Sequence, residues 1–184
     1  MRLTKAGYYA DFFVYPPIMV TVAAVGLRAP TSLVLLRWTT AWVAGIAGWT
    51  LIEYLFHRFV LHQFPYLAQM HDMHHARPNA FVGTPTWLSL PAILTGAFLP
   101  LWWEGDFAIA SGLTSGVMLG YLAYVVAHHG FHHWRIDSSS FLYELKLRHA
   151  QHHHGGVSGN FGVTTAFWDR VFGTAIDRRR RRAT

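Results

Sequence analysis

Histidine is the residue type with the clearest potential for chemistry in this chain. All thirteen histidines fall inside two windows, residues 57–75 and 128–154. Neutral imidazole is the commonest protein ligand for zinc, copper, iron and nickel ions. So many imidazoles at ligand-like spacing predict a centre that holds more than one metal ion. The alternative, a chance cluster of surface or core histidines, requires four separate groups to arise together.

Two histidine triplets share one spacing. The segments 71–75 and 149–153 each place histidines at positions i, i+3 and i+4, so the members of each triplet lie on one face of a helix. The predicted metal ligands of these segments are His71, His74 and His75, and His149, His152 and His153. Two such triplets facing one another would supply most of the ligands of a shared centre.

Two histidine pairs complete the set. His128 and His132 are one helical turn apart, but so are His129 and His133, and the spacing permits either register. The pair His57 and His62 is five residues apart, and on an ideal α-helix its members point about 140° from each other. They converge on one ion only if the helix end unwinds; otherwise they serve different ions. Pairs and triplets together supply ten imidazoles, enough for two ions at roughly four to six ligands each.

The absence of cysteine narrows the chemistry of the centre. It excludes internal disulfides, cysteine-ligated iron–sulfur clusters and thiolate-ligated haem, so a redox metal must be held by nitrogen or oxygen. Structural zinc sites usually rely on cysteine, and the donor set therefore fits iron or another redox metal better, although a purified sample can carry zinc. Glu53 lies one turn before His57, and we expect its carboxylate to accept a hydrogen bond from a ligand imidazole.

Long apolar stretches determine the predicted fold class. Apolar residues make up 52% of the 184 residues and charged residues only 13%, about half the charged fraction of a typical soluble domain. We predict an all-α integral membrane protein with four transmembrane helices, at residues 12–27, 33–56, 87–103 and 107–127. Short links join the first to the second and the third to the fourth, so the helices form two hairpins. All histidine segments then emerge on the same side.

The placement of positive charge predicts which side that is. Thirteen of the fifteen lysines and arginines lie on the histidine side of this layout, and only Arg28 and Arg37 lie on the other. The positive-inside rule therefore places the metal centre on the cytoplasmic side, and we expect a bacterial inner membrane. The polybasic tail at residues 178–184 is expected to attract anionic lipid headgroups rather than nucleic acid. We expect residues 1–184 to form one domain.

The histidine motifs resemble those of the fatty acid hydroxylase and sterol desaturase superfamily of membrane enzymes. The matching segments are residues 57–62, 71–75 and 149–153, and the segment from Asn160 to Thr174 is also similar. The resemblance is closest to the fatty acid and sphingolipid 2-hydroxylase branch. In that branch a pair of histidines four residues apart precedes the last motif by a similar interval, which favours His128 and His132 as ligands. His154 is assigned no role.

This resemblance implies a helical membrane fold whose cytosolic helical cap holds a dinuclear iron centre. It implies oxygen-dependent hydroxylation of a lipid, either a fatty acyl chain, a sphingolipid or a sterol-like molecule. Nothing in the chain matches the haem-binding His-Pro-Gly-Gly motif of a fused cytochrome b5 domain. Electrons are therefore expected from a separate electron-transfer protein, cytochrome b5-like or ferredoxin-like.

Two other functions fit parts of the pattern. A desaturase or carotenoid hydroxylase on the same scaffold would differ only in where the substrate meets the oxidant. A histidine-rich metal transporter would place its ligands near the middle of its membrane helices, whereas here they lie at the ends of the spans. For a hydroxylase, the candidates for the lining of an acyl groove are Phe81, Trp87, Phe161 and Trp168, although core packing or interface anchoring is the default role of each. The candidates for contact with an anionic headgroup are Arg135, Lys146 and Arg148, which serve equally well as topology charges.

Overall fold

The computed structural model describes residues 2–28, 31–154 and 158–176, and within them the regular secondary structure is helical, without strands. This confirms the all-α prediction. The polybasic tail lies outside the described residues. The elements in chain order are α1 (Lys5–Gly26), α2 (Ser32–Leu55), a π-helix (Phe56–Leu61), α3 (Pro65–Ala76), α4 (Thr86–Ile93), a second π-helix (Leu94–Phe98), α5 (Leu99–Trp103), α6 (Phe107–His133), α7 (Phe141–His154) and α8 (Phe167–Val171).

The chain divides into two compact units. The first unit takes in residues up to 50 together with residues 80–126, and the second takes in residues 51–79 together with residues from 127 onward. Every histidine lies in the second unit.

Two of the described helices, α1 and α6, are long and apolar enough to cross a membrane. α1 is continuous over 22 residues, including Pro16 and Pro17, and the side chain of Thr4 caps it by accepting the Gly7 N–H at 3.0 Å. The stretch expected to form the third span is divided into α4, the second π-helix and α5. That all four stretches cross a membrane remains a prediction.

Glycines bring α2 and α6 close together in the first unit. A Cβ atom added at Gly112 would lie 2.5 Å from the Trp38 carbonyl oxygen and 3.2 Å from the Ala41 Cβ atom. Small residues at such contacts are typical of closely packed membrane helices, because lipid provides no hydrophobic drive for association and packing must supply it. At the start of both helices, Arg37 forms an ion pair with Asp106 in the turn before α6.

A buried polar network links three helices of the first unit. Asp11 of α1 is 5% exposed, and it accepts hydrogen bonds from the hydroxyls of Thr86 and Tyr121 at 2.6 Å each. Tyr15, one turn further along α1, donates to the Ser89 hydroxyl at 2.9 Å. Because a buried carboxylate needs hydrogen-bond donors around it, this network aligns α1, α4 and α6 with one another.

Candidate metal centre

The structure brings all ten predicted ligands together as two groups of five imidazoles. Within each group the candidate ligand nitrogens lie within 4.8 Å of one another. The first group consists of His57, His62, His71, His75 and His152. The second group consists of His74, His128, His132, His149 and His153. That these ten residues bind metal remains a prediction, but their convergence matches it.

Each triplet is shared between the two groups. In α3, His71 and His75 belong to the first group and His74 to the second. In α7 the division is reversed, because His152 joins the first group while its two triplet partners join the second. Each helix therefore gives the i and i+4 members of its triplet to one group and the i+3 member to the other. The sequence predicted a shared face but not this exchange.

The first π-helix explains how His57 and His62 reach the same group. A π-helix closes hydrogen bonds between residues five apart, so side chains at that spacing lie one above the other instead of on opposite sides. Residues Phe56–Leu61 adopt this form, and the two imidazole rings stack with centroids 5.2 Å apart and planes 21° from parallel. The expected unwinding of the helix end is therefore a local widening of the helix.

The C-terminal turns of α6 select one register of the second pair. His128 and His132 belong to the second group, and the Nε2 atom of His132 lies 2.9 Å from that of His149. His129 and His133 stack on each other with ring centroids 4.4 Å apart, outside both groups. The side chain of His154 is exposed and also lies outside them.

Burial keeps the ligand imidazoles uncharged at neutral pH. Desolvation lowers the pKa of His57 and of His149 well below the ordinary 6.5, and nearby imidazoles lower it further. Burial is also the main cause that lowers the pKa of His74 and of His152 to about 3. Only neutral imidazole has a lone pair for a metal ion, so these groups are in the protonation state that binding requires.

Hydrogen bonds from backbone carbonyls determine which nitrogen of two imidazoles faces inward. The Nδ1–H of His57 donates to the Phe161 carbonyl at 2.6 Å, and the Nδ1–H of His152 donates to the Gly159 carbonyl at 2.8 Å. In a neutral ring this leaves Nε2 unprotonated. Both Nε2 atoms point into the first group, where they lie 2.9 Å from His71 Nε2 and 3.2 Å from His62 Nε2, respectively.

The nitrogens of the first group fit a cation better than a set of shared protons. His71 Nε2 lies 2.9 Å from both His57 Nε2 and His75 Nε2, and one N–H can be directed at only one of them. A metal ion bound to two nitrogens at right angles, with bonds of about 2.1 Å, would hold them about 3.0 Å apart. The residues present therefore fit a metal ion by donor type, protonation state and spacing.

A short segment, buried over residues 159–163, supports the first group. It runs from residue 159 to 165 and includes the two carbonyls that hold His57 and His152. Asp169 is 0% exposed and accepts the backbone N–H groups of Phe161 at 2.9 Å and Gly162 at 3.0 Å. Glu53 accepts those of Val163 at 2.6 Å and Thr164 at 3.0 Å, together with the Thr164 hydroxyl at 2.6 Å. For His57 the acceptor at Nδ1 is the Phe161 carbonyl, and the hydrogen bond expected from a ligand imidazole to Glu53 stays a prediction.

Asn160 and Arg148 brace the same segment. Asn160 is 0% exposed, has a left-handed backbone with φ of 55°, and accepts from the Arg148 guanidinium at 2.8 Å. The guanidinium also lies 3.7 Å from Asp169. The expected headgroup contact is therefore wrong for Arg148, which is only 8% exposed. Spacing did not single out Asn160 or Asp169 for this role, although the Gly159-Asn160 pair is a turn signal.

The aromatic side chains expected in an acyl groove have different surroundings. The Phe161 ring lies beside three imidazoles of the first group, with its centroid 5.5 Å from that of His62 and 5.6 Å from that of His152. Trp168 stacks on Phe172 at 6.0 Å. In the first unit, Trp87 is 69% exposed and Phe81 packs against Tyr8 and Tyr9. Phe161 is therefore the aromatic residue that contacts the centre.

Comparisons with known proteins identify the family. The family model described as fatty acid hydroxylase matches residues 42–174, which include all ten histidines of the two groups. The ceramide very long chain fatty acid hydroxylase scs7 of Schizosaccharomyces pombe is 31% identical over 94% of this chain and 52% of its own length. The fatty acid 2-hydroxylase of Rattus norvegicus is 35% identical over 73% of this chain and 39% of its own.

A solved structure supports the same relationship. The hydroxylase domain visible in a structure of full-length scs7p superposes with a TM-score of 0.76 at 28% sequence identity, covering 93% of this chain and 67% of that one. The chain spans about half the length of the first curated relative, 52%, and less of the second. On the match of its family model over most of the chain, this protein belongs to the fatty acid hydroxylase family.

Proposed function

We propose that this chain is an oxygen-dependent dinuclear iron hydroxylase of a lipid acyl chain. The observation that carries the proposal is the division of ten imidazoles into two groups of five in a member of the fatty acid hydroxylase family. Two sites of five nitrogens each suit two ions of a metal that binds imidazole. The names of the relatives, which include fatty acid 2-hydroxylases and a ceramide hydroxylase, point to the 2-position of a fatty acyl group.

The residues of the chain hold and shield the reacting centre. His57, His62, His71, His75 and His152 would hold one ion, and His74, His128, His132, His149 and His153 the other. When bound, two iron ions supply the activation of oxygen and the oxidising power needed to attack an unactivated C–H bond. The protein orients the imidazoles through the Gly159 and Phe161 carbonyls, and the buried Phe161 ring keeps water from one side of the first group.

Membrane placement is part of the same proposal. Four spans in two hairpins, with a cytosolic helical cap that holds the metal centre, would agree with the apolar helices α1 and α6. The ion pair of Arg37 with Asp106 supports the two hairpin turns lying at the same end. The excess of lysine and arginine on the histidine side supports a cytoplasmic metal centre, in a bacterial inner membrane. We treat residues 1–184 as one domain, because the family match takes in parts of both units.

The remaining partners are a lipid and an electron donor. Hydroxylation by O2 consumes two electrons, so we propose a separate cytochrome b5-like or ferredoxin-like protein as their source. An acyl substrate would enter from the bilayer, since an apolar chain is most soluble there.

Lipid analysis under labelled oxygen tests the proposal. The chain is expressed in a bacterial host with an electron-transfer protein and supplied with very long chain fatty acids and ceramide under 18O2. Total lipids are then compared by mass spectrometry with those from a His74→Ala/His152→Ala chain, which loses one nitrogen from each group. A His154→Ala chain is the matched control, because that imidazole is exposed and lies outside both groups.

The expected result is a 2-hydroxylated acyl chain carrying one 18O atom, formed by the wild type and the control but not by the double variant. Loss of two hydrogens without gain of oxygen would assign a desaturase instead. Unchanged lipids would contradict the proposal, provided that the chain purified from the same cells contains iron and is reduced by the electron donor.

A further inference from the structure

The two groups of imidazoles differ in how the protein supports them. In the first group, the outer nitrogens of His57 and His152 donate to the carbonyls of Phe161 and Gly159. In the second group, the Nδ1 atom of His149 and both ring nitrogens of His74 and His153 are buried and make no hydrogen bond to the described residues. Two imidazoles of the first group thus have a carbonyl acceptor that His74, His149 and His153 of the second group lack within residues 2–28, 31–154 and 158–176.

Asp169 is connected to His57 through a single peptide unit. The Phe161 carbonyl that accepts from His57 and the Gly162 N–H that donates to Asp169 belong to the same peptide group. Hydrogen bonds polarise one another along such a chain, so the carboxylate makes the carbonyl a stronger acceptor. A stronger acceptor at Nδ1–H increases the basicity of Nε2, which faces the first group. This is a carboxylate–peptide–imidazole relay.

The surroundings of Asp169 keep the relay in one geometry. Its carboxylate also accepts the Thr174 hydroxyl at 2.7 Å and the Phe161 N–H at 2.9 Å. Its backbone carbonyl accepts the Thr174 N–H at 2.8 Å. Arg148, at 3.7 Å, offsets the buried charge. With these partners the carboxylate has little freedom to turn away from the peptide group.

We propose that Asp169 is a positioning residue for one of the two metal sites. It acts through the peptide group between Phe161 and Gly162 on His57, and it strengthens binding in the first group while leaving the second group unaffected. This inference rests on the proposed dinuclear centre. Loss of a group that orients a ligand imidazole typically costs roughly 10- to 100-fold in metal affinity, and we expect that cost at the first group alone.

Zinc binding to an Asp169→Asn chain tests the inference. Asparagine keeps the size of the side chain, but only its Oδ1 atom can accept a hydrogen bond, so one of the backbone N–H groups of Phe161 and Gly162 loses its acceptor. Purified apo chains in detergent are dialysed against a series of buffered free Zn2+ concentrations, and bound zinc is counted by mass spectrometry to give two affinities. Two further variants assign them: His62→Ala removes a nitrogen from the first group, and His153→Ala removes one from the second.

The expected pattern is selective. In the Asp169→Asn chain one affinity falls roughly 10- to 100-fold and the other is unchanged. In the Asp169→Asn/His153→Ala chain both affinities fall below their wild-type values, because each substitution weakens a different group. In the Asp169→Asn/His62→Ala chain both substitutions act on the first group, and the second site keeps its wild-type affinity. If Asp169→Asn does not purify as a folded chain, Thr174→Val removes one hydrogen bond to the carboxylate and should weaken the same site several-fold.

Three outcomes are distinguishable. Two unchanged affinities in the Asp169→Asn chain, or an equal fall in both, would overturn the selective role of Asp169. A wild-type chain that binds fewer than two zinc ions would contradict the dinuclear centre itself, and the inference with it. A selective fall that His62→Ala and His153→Ala assign to the second group would also overturn the inference.

Discussion

Substituting adjacent histidines of α6 should have opposite consequences for metal binding. His132 lies in the second group, with its Nε2 atom 2.9 Å from that of His149. Its neighbour His133 is exposed and stacks on His129, outside both groups. His132→Ala should therefore weaken the metal site of the second group, whereas His133→Ala should leave both sites intact.

The size of the effect follows from the number of ligands. A structural zinc site contributes roughly 10–16 kcal/mol of apparent binding free energy at neutral pH. The second group has five candidate nitrogens. Divided among them, this free energy amounts to about 2–3 kcal/mol each, and loss of one should weaken zinc binding roughly 30- to 200-fold. The His133→Ala substitution should change the zinc affinity less than about twofold, since it removes no candidate ligand.

Zinc titration of the two purified variants measures this difference directly. The variants have the same composition change, lie on the same helix and are one residue apart, so general effects on the helix cancel in the comparison. Equal affinities in the two variants, or weaker binding in His133→Ala, would refute the assignment of the register. Weaker binding in His133→Ala would move the pair to His129 and His133, which the spacing alone permits.

Two substitutions in the first unit test its packing by thermal unfolding in detergent. Gly112→Ala places a Cβ atom 2.5 Å from the Trp38 carbonyl oxygen and should cost about 1–3 kcal/mol, a fall in Tm of roughly 2–12 °C. Gly48→Ala, with nothing within 4 Å of its Cβ, is the control, and an equal fall there would contradict this packing. Asp11→Ala leaves the hydroxyls of Thr86 and Tyr121 without their acceptor and should cost roughly 2–5 kcal/mol; an unchanged Tm would contradict the network.

Much of the centre could be predicted from local spacing. An i, i+3, i+4 pattern determines that three side chains share one helix face, because the helix period is a property of the backbone. The absence of cysteine restricted the possible metal ligands to nitrogen and oxygen, and the low content of charged residues favoured a helical membrane fold. The all-α fold and the family are confirmed.

Tertiary structure decided how those residues are used. Which metal group receives His74 or His152 depends on how α3 and α7 meet, and periodicity within one helix carries no information about the other. The hydrogen-bond acceptor of His57 could not be predicted either, because Phe161 lies 104 residues further along the chain than His57. Residue types and spacings thus determined the chemistry that is available, while long-range packing decided which imidazoles form each group and which carboxylates hold the segment that supports the first group.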